Sequence, residues 1–326
     1  MQKILVTGVK PTGTVHVGNY FGAMRQVIDF QNDYRQFVFV ANYHALTSVS
    51  DRNVLHGMSL DVAMDYLAIG VDPKKTTLFL QSDVPMVTEL AWIFNTITTV
   101  PYLERAHAFK DAQAKNKEIN VGLFDYPILM AADILIYGAD IVPVGFDQKQ
   151  HVEIARDTAQ KFNRIFGETF KIPEPFIVEE VKIVPGIDGR KMSKSYDNVI
   201  PLFGSDEEIR KAIMGITTDS KGVDEPKDPK TCTIFALHEL VSSADVPDIK
   251  ARYSAGKISY KESKEILFEN MRKFIIPMRI CREEISQDKN YVLTILREGG
   301  NVARAEAEKM MNGVREKTGL ANTYLL

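Results

Sequence analysis

The chain has 326 residues, 45% of them hydrophobic and 25% charged, which is enough apolar material for a full core in two domains and excludes a disordered or fibrous chain. A formal net charge of −3 argues against nonspecific coating of nucleic acid and leaves room for a local basic groove built for one RNA. No apolar run is long and uninterrupted enough to span a bilayer, and Met1-Gln2-Lys3 leads into the first expected strand without a signal peptide, so a cytoplasmic protein with no membrane partner is expected. Cys232 and Cys281 lie in separate segments without CxxC spacing, which predicts neither a disulfide framework nor a zinc site.

In chain order, Ile4-Leu5-Val6 reads as a buried strand. A turn with glycines at 8, 13 and 18 follows, then a helix from about Gly18 in which Tyr20, Met24, Val27 and Ile28 share one face. Residues 37–40 and 77–80 read as strands, separated by a helix that Asp51 caps and that runs through Ile69. A helix over 88–99 carries the one tryptophan, Trp92, and the polar run 110–120 reads as a mobile loop or frayed helix. Pro127 is expected to start a helix in which Leu129, Met130, Ala132, Asp133 and Ile136 recur at helical spacing. Residues 141–144 read as another strand and 148–166 as another helix. This alternation predicts an α/β fold, a Rossmann-like doubly wound parallel sheet with the site at the strands' C-terminal ends. From the capping box Ser205-Asp206-Glu207-Glu208 onward no clear strand pattern is visible, and helices are expected near 234–240, 259–274, 292–296 and 302–314. The expected division is a domain over 1–200 and an all-helical domain over 201–326.

Two loops carry the chemistry. Lys191-Met192-Ser193-Lys194-Ser195 sets two ammonium groups and two hydroxyls around one methionine, and the turn formers of 185–190 predict that a mobile loop presents them. Such a cluster suits a polyphosphate, although a solvated basic surface has the same composition. The N-terminal strand, turn and helix would add free N–H groups and a helix dipole, with glycines that let a ligand approach the backbone. The spacing is neither GxGxxG nor GxxxxGK[ST], which sets aside the ordinary dinucleotide fingerprint and the P-loop.

His16-Val17-Gly18-Asn19 resembles a variant of the HIGH signature and Lys191 to Ser195 reproduces KMSKS, in the order of the paired signatures of class I aminoacyl-tRNA synthetases. The segments 126–135 and 142–151, with the patterns YPxLMAAD and VPVGxDQ, resemble the tryptophanyl branch. The similarity runs along nearly the whole chain and is weakest after about residue 215. It implies that ATP activates L-tryptophan to tryptophanyl-adenylate with release of pyrophosphate, and that the acyl group then passes to the 3′-terminal adenosine of tRNA(Trp). Mg2+ would accompany ATP, and no covalent enzyme intermediate is needed. The resemblance also implies a homodimer with its interface near 85–130, one tRNA touching both subunits, and an anticodon-binding role for the helical domain. Some tryptophanyl enzymes hold a four-cysteine iron–sulfur cluster in the region where Cys232 lies, and two cysteines cannot build one.

Residue by residue, the resemblance puts Lys10, Pro11 and Thr12 along the triphosphate and Gly18 and Asn19 at the adenosine. Gly145, Phe146, Asp147, Ile183 and Met192 complete the nucleotide pocket, with Ser193 in the same loop. Lys191, Lys194 and Ser195 are the candidate catalytic residues, because charge grows on the phosphate oxygens in the transition state and preorganised cations then act more strongly than on bound ATP. Lys10 stands where Gln is usual in this branch, and His16 where Thr is usual.

For tryptophan the expected residues are Asp133, Met130, His44, Tyr126 and Gln148. An acid inside an apolar helix needs a donor, and the indole N–H is a donor with no acceptor capacity; from the residues alone, an internally satisfied or partly exposed Asp is the alternative. No protein metal ligand is expected, since His107, His151 and His238 lack metal-ligand spacing and read as structural or surface residues. Lys257, Lys261, Lys264, Arg272 and Arg304 are candidates for tRNA backbone contacts, with a solvated helix face as the alternative for each. A tyrosyl synthetase shares fold and signatures. A nucleotidylyltransferase shares an HxGH-like loop but lacks KMSKS and the helical domain, and a nonenzymatic paralogue would have lost signature lysines, none of which is lost here.

Overall fold

The computed structural model describes residues 2–11, 13–114, 118–144, 149–176 and 184–321. Five parallel strands, β1 (Ile4–Val9), β2 (Arg35–Val40), β3 (Thr76–Leu80), β4 (Ile141–Pro143) and β5 (Glu174–Phe176), form one sheet in the order β3-β2-β1-β4-β5. The chain builds outward from β1 to β3, returns across the sheet, and builds β4 and β5 on the other side. β1 pairs with β2 over its whole length but with β4 only at Leu5 and Ile141. Where the strand order reverses, the chain leaves β1 and β4 in opposite directions and a crevice opens beyond their C-terminal ends, the usual ligand position in such sheets. The doubly wound α/β expectation is met.

Alternation along β2 explains why both faces are covered. Phe37 and Phe39 enter one apolar layer with the helices Met86–Ile97, Val121–Leu135 and Lys149–Phe166. Val38 and Val40 enter the other with the helices Arg52–Ala68 and Tyr260–Gln287. As expected, Asp51 caps the first of these, accepting from Asn53 N and Val54 N at 2.8 and 2.9 Å.

Three sequence expectations are corrected. Pro127 does not open its helix: Asn120 does, its side chain accepting Leu123 N at 2.8 Å, and Pro127 sits inside Val121–Leu135. The missing N–H leaves Leu123 O without its helical rung, and the helix continues because the buried Ile128, Ala131 and Ala132 pack behind it. The run 110–120, read as a mobile loop or frayed helix, starts inside the helix His107–Ala114. The segments near 292–296 and 302–314 are parts of one helix, Lys289–Thr318, which passes through Gly299-Gly300 without a break. Strand β5 and the helix Val246–Ser254 had no counterpart in the sequence reading.

The helix Lys289–Thr318 also departs from its neighbours. The helices Asp206–Met214, Thr233–Val241, Val246–Ser254 and Tyr260–Gln287 follow the capping box, in which Ser205 N donates to Glu208 Oε2 at 2.8 Å and Glu208 N to Ser205 Oγ at 3.2 Å. Lys289–Thr318 instead returns to the sheet. Ala303, Ala307, Met311 and Val314 join the layer that holds Phe37, and Arg315 grips Glu89 with two hydrogen bonds of 2.8 and 2.7 Å. Of the basic residues considered for RNA, Lys264 donates to Met214 O and Ile216 O, Arg272 pairs with Asp206, and Arg304 donates to Asp83 O, while Lys257 and Lys261 are exposed.

Gly299 lets the last helix touch β3, because a Cβ there would collide with the backbone carbonyl of Leu78. In an open helix interior Gly→Ala stabilises by about 1 kcal/mol, whereas forcing a methyl into a packed contact costs about 1–3 kcal/mol. Gly299→Ala is therefore expected to lower stability in denaturant titration. Gly313→Ala, in the same helix with nothing within 4 Å of its Cβ position, should raise it.

Candidate active site

A cavity of about 540 Å³ opens in the crevice, walled by Val9 and Lys10 at the end of β1 and by Pro143 and Val144 at the end of β4. The helix Val121–Leu135 forms its other side. Because Asn120 starts that helix early, Tyr126, Met130 and Asp133 fall at i, i+4 and i+7, and all three line the cavity with His44.

Asp133 is only 2% exposed. Gln81 Nε2 donates to both of its oxygens at 2.9 and 2.8 Å, and His44 Nε2 donates to Oδ2 at 2.8 Å. Burial pushes its carboxyl above the usual range, against the pull of His44 and Gln81. A carboxylate accepts about four hydrogen bonds and three contacts are made here, so Oδ1 retains room for one more donor. Gln81 was missed as a site residue. Its position at the end of β3 was visible in the sequence, but nothing local tells a buried glutamine from a solvated one. It accepts from Tyr43 N and His44 N through Oε1 at 3.0 and 3.4 Å, so one side chain sets both the carboxylate and the segment carrying His44.

Tyr126 OH lies 2.7 Å from His151 Nε2, and both rings approach the same wall. His151 is thus a buried partner of a cavity residue, while His238 is buried between Ser242 and Ser263 and pushed down to about 4 by desolvation. Lys10 Nζ donates to Thr47 Oγ1 at 3.0 Å, which aims the ammonium along the cavity mouth, and Pro11 beside it is buried. Thr12, Gly145, Phe146, Asp147, Gln148 and Ile183 lie outside the described residues.

The two signature loops meet each other through Gly18 and Met192. His16 caps the helix Val17–Asn19: its Nδ1 accepts from Asn19 N at 3.2 Å, and its own N–H donates to Asn19 Oδ1 at 3.1 Å. Desolvation and the charge of Lys194 push this imidazole down to about 4, so it is neutral at physiological pH. Of the three glycines in this turn, Gly8 and Gly18 are closely packed by protein side chains, whereas Gly13 is not. A Cβ on Gly8 would enter the Phe39 ring, and one on Gly18 would lie 2.9 Å from His16 Nδ1 and 3.1 Å from Met192 Cβ. Met192 is buried against Gly18, and Lys191 and Lys194 flank it on the exposed side.

Asn198, another residue the sequence reading passed over, organises the KMSKS loop. Its Oδ1 accepts Ser193 N at 2.7 Å, and its Nδ2 donates to Asp188 Oδ1 at 2.7 Å and to Lys191 O at 3.1 Å. Ser193 and Ser195 hydroxyls lie 2.9 Å apart, and Asp197, at φ 50°, closes the turn that Lys194–Tyr196 begins. The loop thus presents two ammonium groups beside a polar turn, and the cavity offers a hydrogen-bonded carboxylate among apolar walls. The first suits an anionic chain and the second a flat donor.

The chain matches the model of the family described as tRNA synthetases class I (W and Y) over residues 2–275. It is 47% identical over 317 residues to the tryptophan–tRNA ligase of Rhodopirellula baltica, covering 97% of this chain and 99% of that one. Its identity to the Fusobacterium nucleatum enzyme of the same name is 44% over 327 residues, with 99% and 100% covered. Among solved structures, Campylobacter jejuni tryptophanyl-tRNA synthetase complexed with ADP and tryptophan superposes with a TM-score of 0.90 at 43% identity, covering 97% of this chain and 100% of that one. The Mycoplasma pneumoniae tryptophanyl-tRNA synthetase gives 0.86 at 31%, with 98% and 99% covered.

Asn198→Ala would leave Ser193 N, Lys191 O and Asp188 without their shared partner inside a turn. Leaving such groups unpaired costs about 1–3 kcal/mol, and the expected result is that loss in denaturant titration together with faster amide exchange over 191–195.

Proposed function

The chain belongs to the class I tRNA synthetases of the tryptophan and tyrosine branch, and from that premise we infer that it is a tryptophan–tRNA ligase. It activates L-tryptophan with ATP and transfers the acyl group to tRNA(Trp). The observation that carries the amino-acid choice is the buried Asp133, held by Gln81 and His44 with one acceptor position left on the wall of an apolar cavity. Tryptophan-dependent exchange of pyrophosphate into ATP, measured across a panel that includes tyrosine, tests it. Exchange with tyrosine in place of tryptophan would move the chain to the other member of the branch.

In this reading the indole N–H donates to Asp133 Oδ1, with Met130 and Val144 against the ring, and Tyr126, positioned by His151, borders the polar end of the substrate. The substrate carboxylate attacks the α-phosphorus. Lys191 and Lys194, with the Ser193 and Ser195 hydroxyls, meet the charge that grows on the departing pyrophosphate. Lys10 adds a cation at the cavity mouth. Thr12, Gly18, Asn19, Gly145, Phe146, Asp147 and Ile183 keep their nucleotide roles, and Gln148 its role at tryptophan, by resemblance. His16, being neutral, acts as a helix cap and hydrogen-bond acceptor, so phosphate charge is met by the lysines.

Mg2+ is proposed to arrive on the nucleotide. Among the described residues no group of three or more His, Cys, Asp or Glu could hold a metal ion, and phosphate oxygens with water are the usual magnesium ligands. A homodimer is supported by the exposed apolar side chains Trp92, Val100 and Val121, the first of them 71% exposed, in the stretch expected to form the interface. The division into a catalytic part over 1–200 and a tRNA-reading helical part over 201–326 is likewise proposed, with the last helix serving to dock one on the other. Among the described residues no helix is long and apolar enough to cross a membrane, and a cytoplasmic setting is proposed from the tRNA substrate.

Lys194→Ala is expected to lower kcat for adenylate formation by about two or more orders of magnitude while leaving tryptophan affinity nearly unchanged, as for loss of a preorganised electrostatic group. Single-turnover formation of the adenylate measures this directly.

Asp133→Ala should raise KM for tryptophan sharply, leave KM for ATP nearly unchanged, and narrow a preference over phenylalanine that is of order 10⁴ or more. The check is kcat/KM for both amino acids in wild type and variant.

A further inference from the structure

Asp133 takes its geometry from a turn that lies outside the cavity. Gln81, which donates to both of its oxygens, opens the turn Gln81–Asp83 at the end of β3, and Val84 N closes that turn on Gln81 O at 3.1 Å. On one side the turn is stitched to the segment carrying His44: Ser82 N donates to Asn42 Oδ1 at 3.0 Å, and Asn42 Nδ2 donates to Ser82 Oγ at 2.8 Å. On the other side Asp83 braces it, its Oδ2 accepting Leu80 N at 3.1 Å.

The helix Lys289–Thr318 stands directly behind Asp83. Arg304 Nε donates to Asp83 O at 2.9 Å. One helical turn earlier, Gly300 lies so close that an added Cβ would stand 2.8 Å from Asp83 Cβ and 2.8 Å from Oδ2, the atom that holds Leu80 N. Gly300 and Arg304 are thus neighbours on one helix face, and together they meet both the side chain and the backbone of Asp83. Neither lines the cavity. Gln81 is only 1% exposed, so its amide has no water to turn to when the backbone beneath it moves, and a displaced turn displaces or breaks its bonds to Asp133.

We propose that the last helix sets the indole acceptor: Gly300 and Arg304, acting through Asp83 and Gln81, are positioning residues for selectivity at Asp133. The proposal rests on the reading that Asp133 receives the indole N–H. A hydrogen bond weakens steeply away from its preferred length and angle, whereas apolar contact with a ring has no such direction. A turn displaced by roughly half an ångström therefore costs the bond to the N–H and leaves the packing of the ring nearly intact. Arg304 acquires a task within the enzyme itself, in place of the tRNA backbone contact considered for it.

The test is equilibrium binding of two ligands to the full-length protein by titration calorimetry: tryptophan, and benzothienylalanine, an analogue of similar shape with sulfur in place of the indole N–H. Gly300→Ala is expected to weaken tryptophan binding about tenfold and Arg304→Ala about threefold, with the analogue held within about twofold of wild type in both. In an Asp133→Ala background neither should shift tryptophan binding further. Arg315→Ala frees the same helix from Glu89 without touching the turn, and should leave the ratio of the two affinities at its wild-type value. If Gly300→Ala does not fold, Arg304→Ala carries the test. Equal weakening of both ligands is the mark of general damage and overturns the proposal, as does unchanged tryptophan binding or a shift that survives Asp133→Ala. A wild-type protein that binds both ligands equally overturns instead the indole reading beneath it.

Discussion

The site depends on a short piece of backbone pairing between segments far apart in the chain. Val17 N donates to Ile200 O at 2.9 Å, Leu202 N donates to Val15 O at 3.0 Å, and His16 bridges Pro201. These contacts fasten the stretch that follows KMSKS to the stretch that caps the first helix. Gly18 then meets Met192, 174 residues later, so closely that a methyl group would not fit between His16 and Met192. Once the pairing is made, Lys194 has little choice but to lie over the Gly13 turn. Hydrogen bonds among uncharged groups thus set the distance of these lysines from the sheet.

Buried charge divides the rest of the work. Asp133 and Asp65 are both held in low-dielectric surroundings with the carboxyl raised above its usual range, and they are satisfied in different ways. Asp133 accepts from Gln81 and the His44 ring, and its Oδ1 keeps room for one more donor. Asp65 instead has a guanidinium, which meets its charge with a formal charge of its own. One residue type is thus satisfied in two ways, and the partners make the difference.

The docking of the last helix explains how a helical segment that follows the sheet in sequence becomes part of its core. The Gly299-Gly300 pair, which reads as a breaker in an isolated helix, permits backbone contact with β3 and the Asp83 turn. Arg304 and Arg315 tie the two sides of that contact to Asp83 and Glu89. The preceding long helix carries Arg282 to Asp61 and Asp65 of the helix Arg52–Ala68, so the C-terminal helices touch the sheet-bearing part at two places.

Local information decided a great deal. The period-2 and period-3.6 apolar patterns, the caps at Asp51 and Ser205 and the two signature loops depend on neighbours within about one helical turn or one strand, and these fixed the fold class and most element positions. The same local logic failed where a distant surface overrode it: at Pro127, where burial of one helical face outweighs a lost rung, and at Gly299-Gly300, where contact with β3 outweighs poor helix propensity. Gln81, Asn198, Asp65 and Arg282 could not be recognised in the sequence because their roles exist only in pairs. A polar side chain has the same local signature whether it faces water or a partner from another element, and only the tertiary structure, by removing water from around it, decides which groups must find each other.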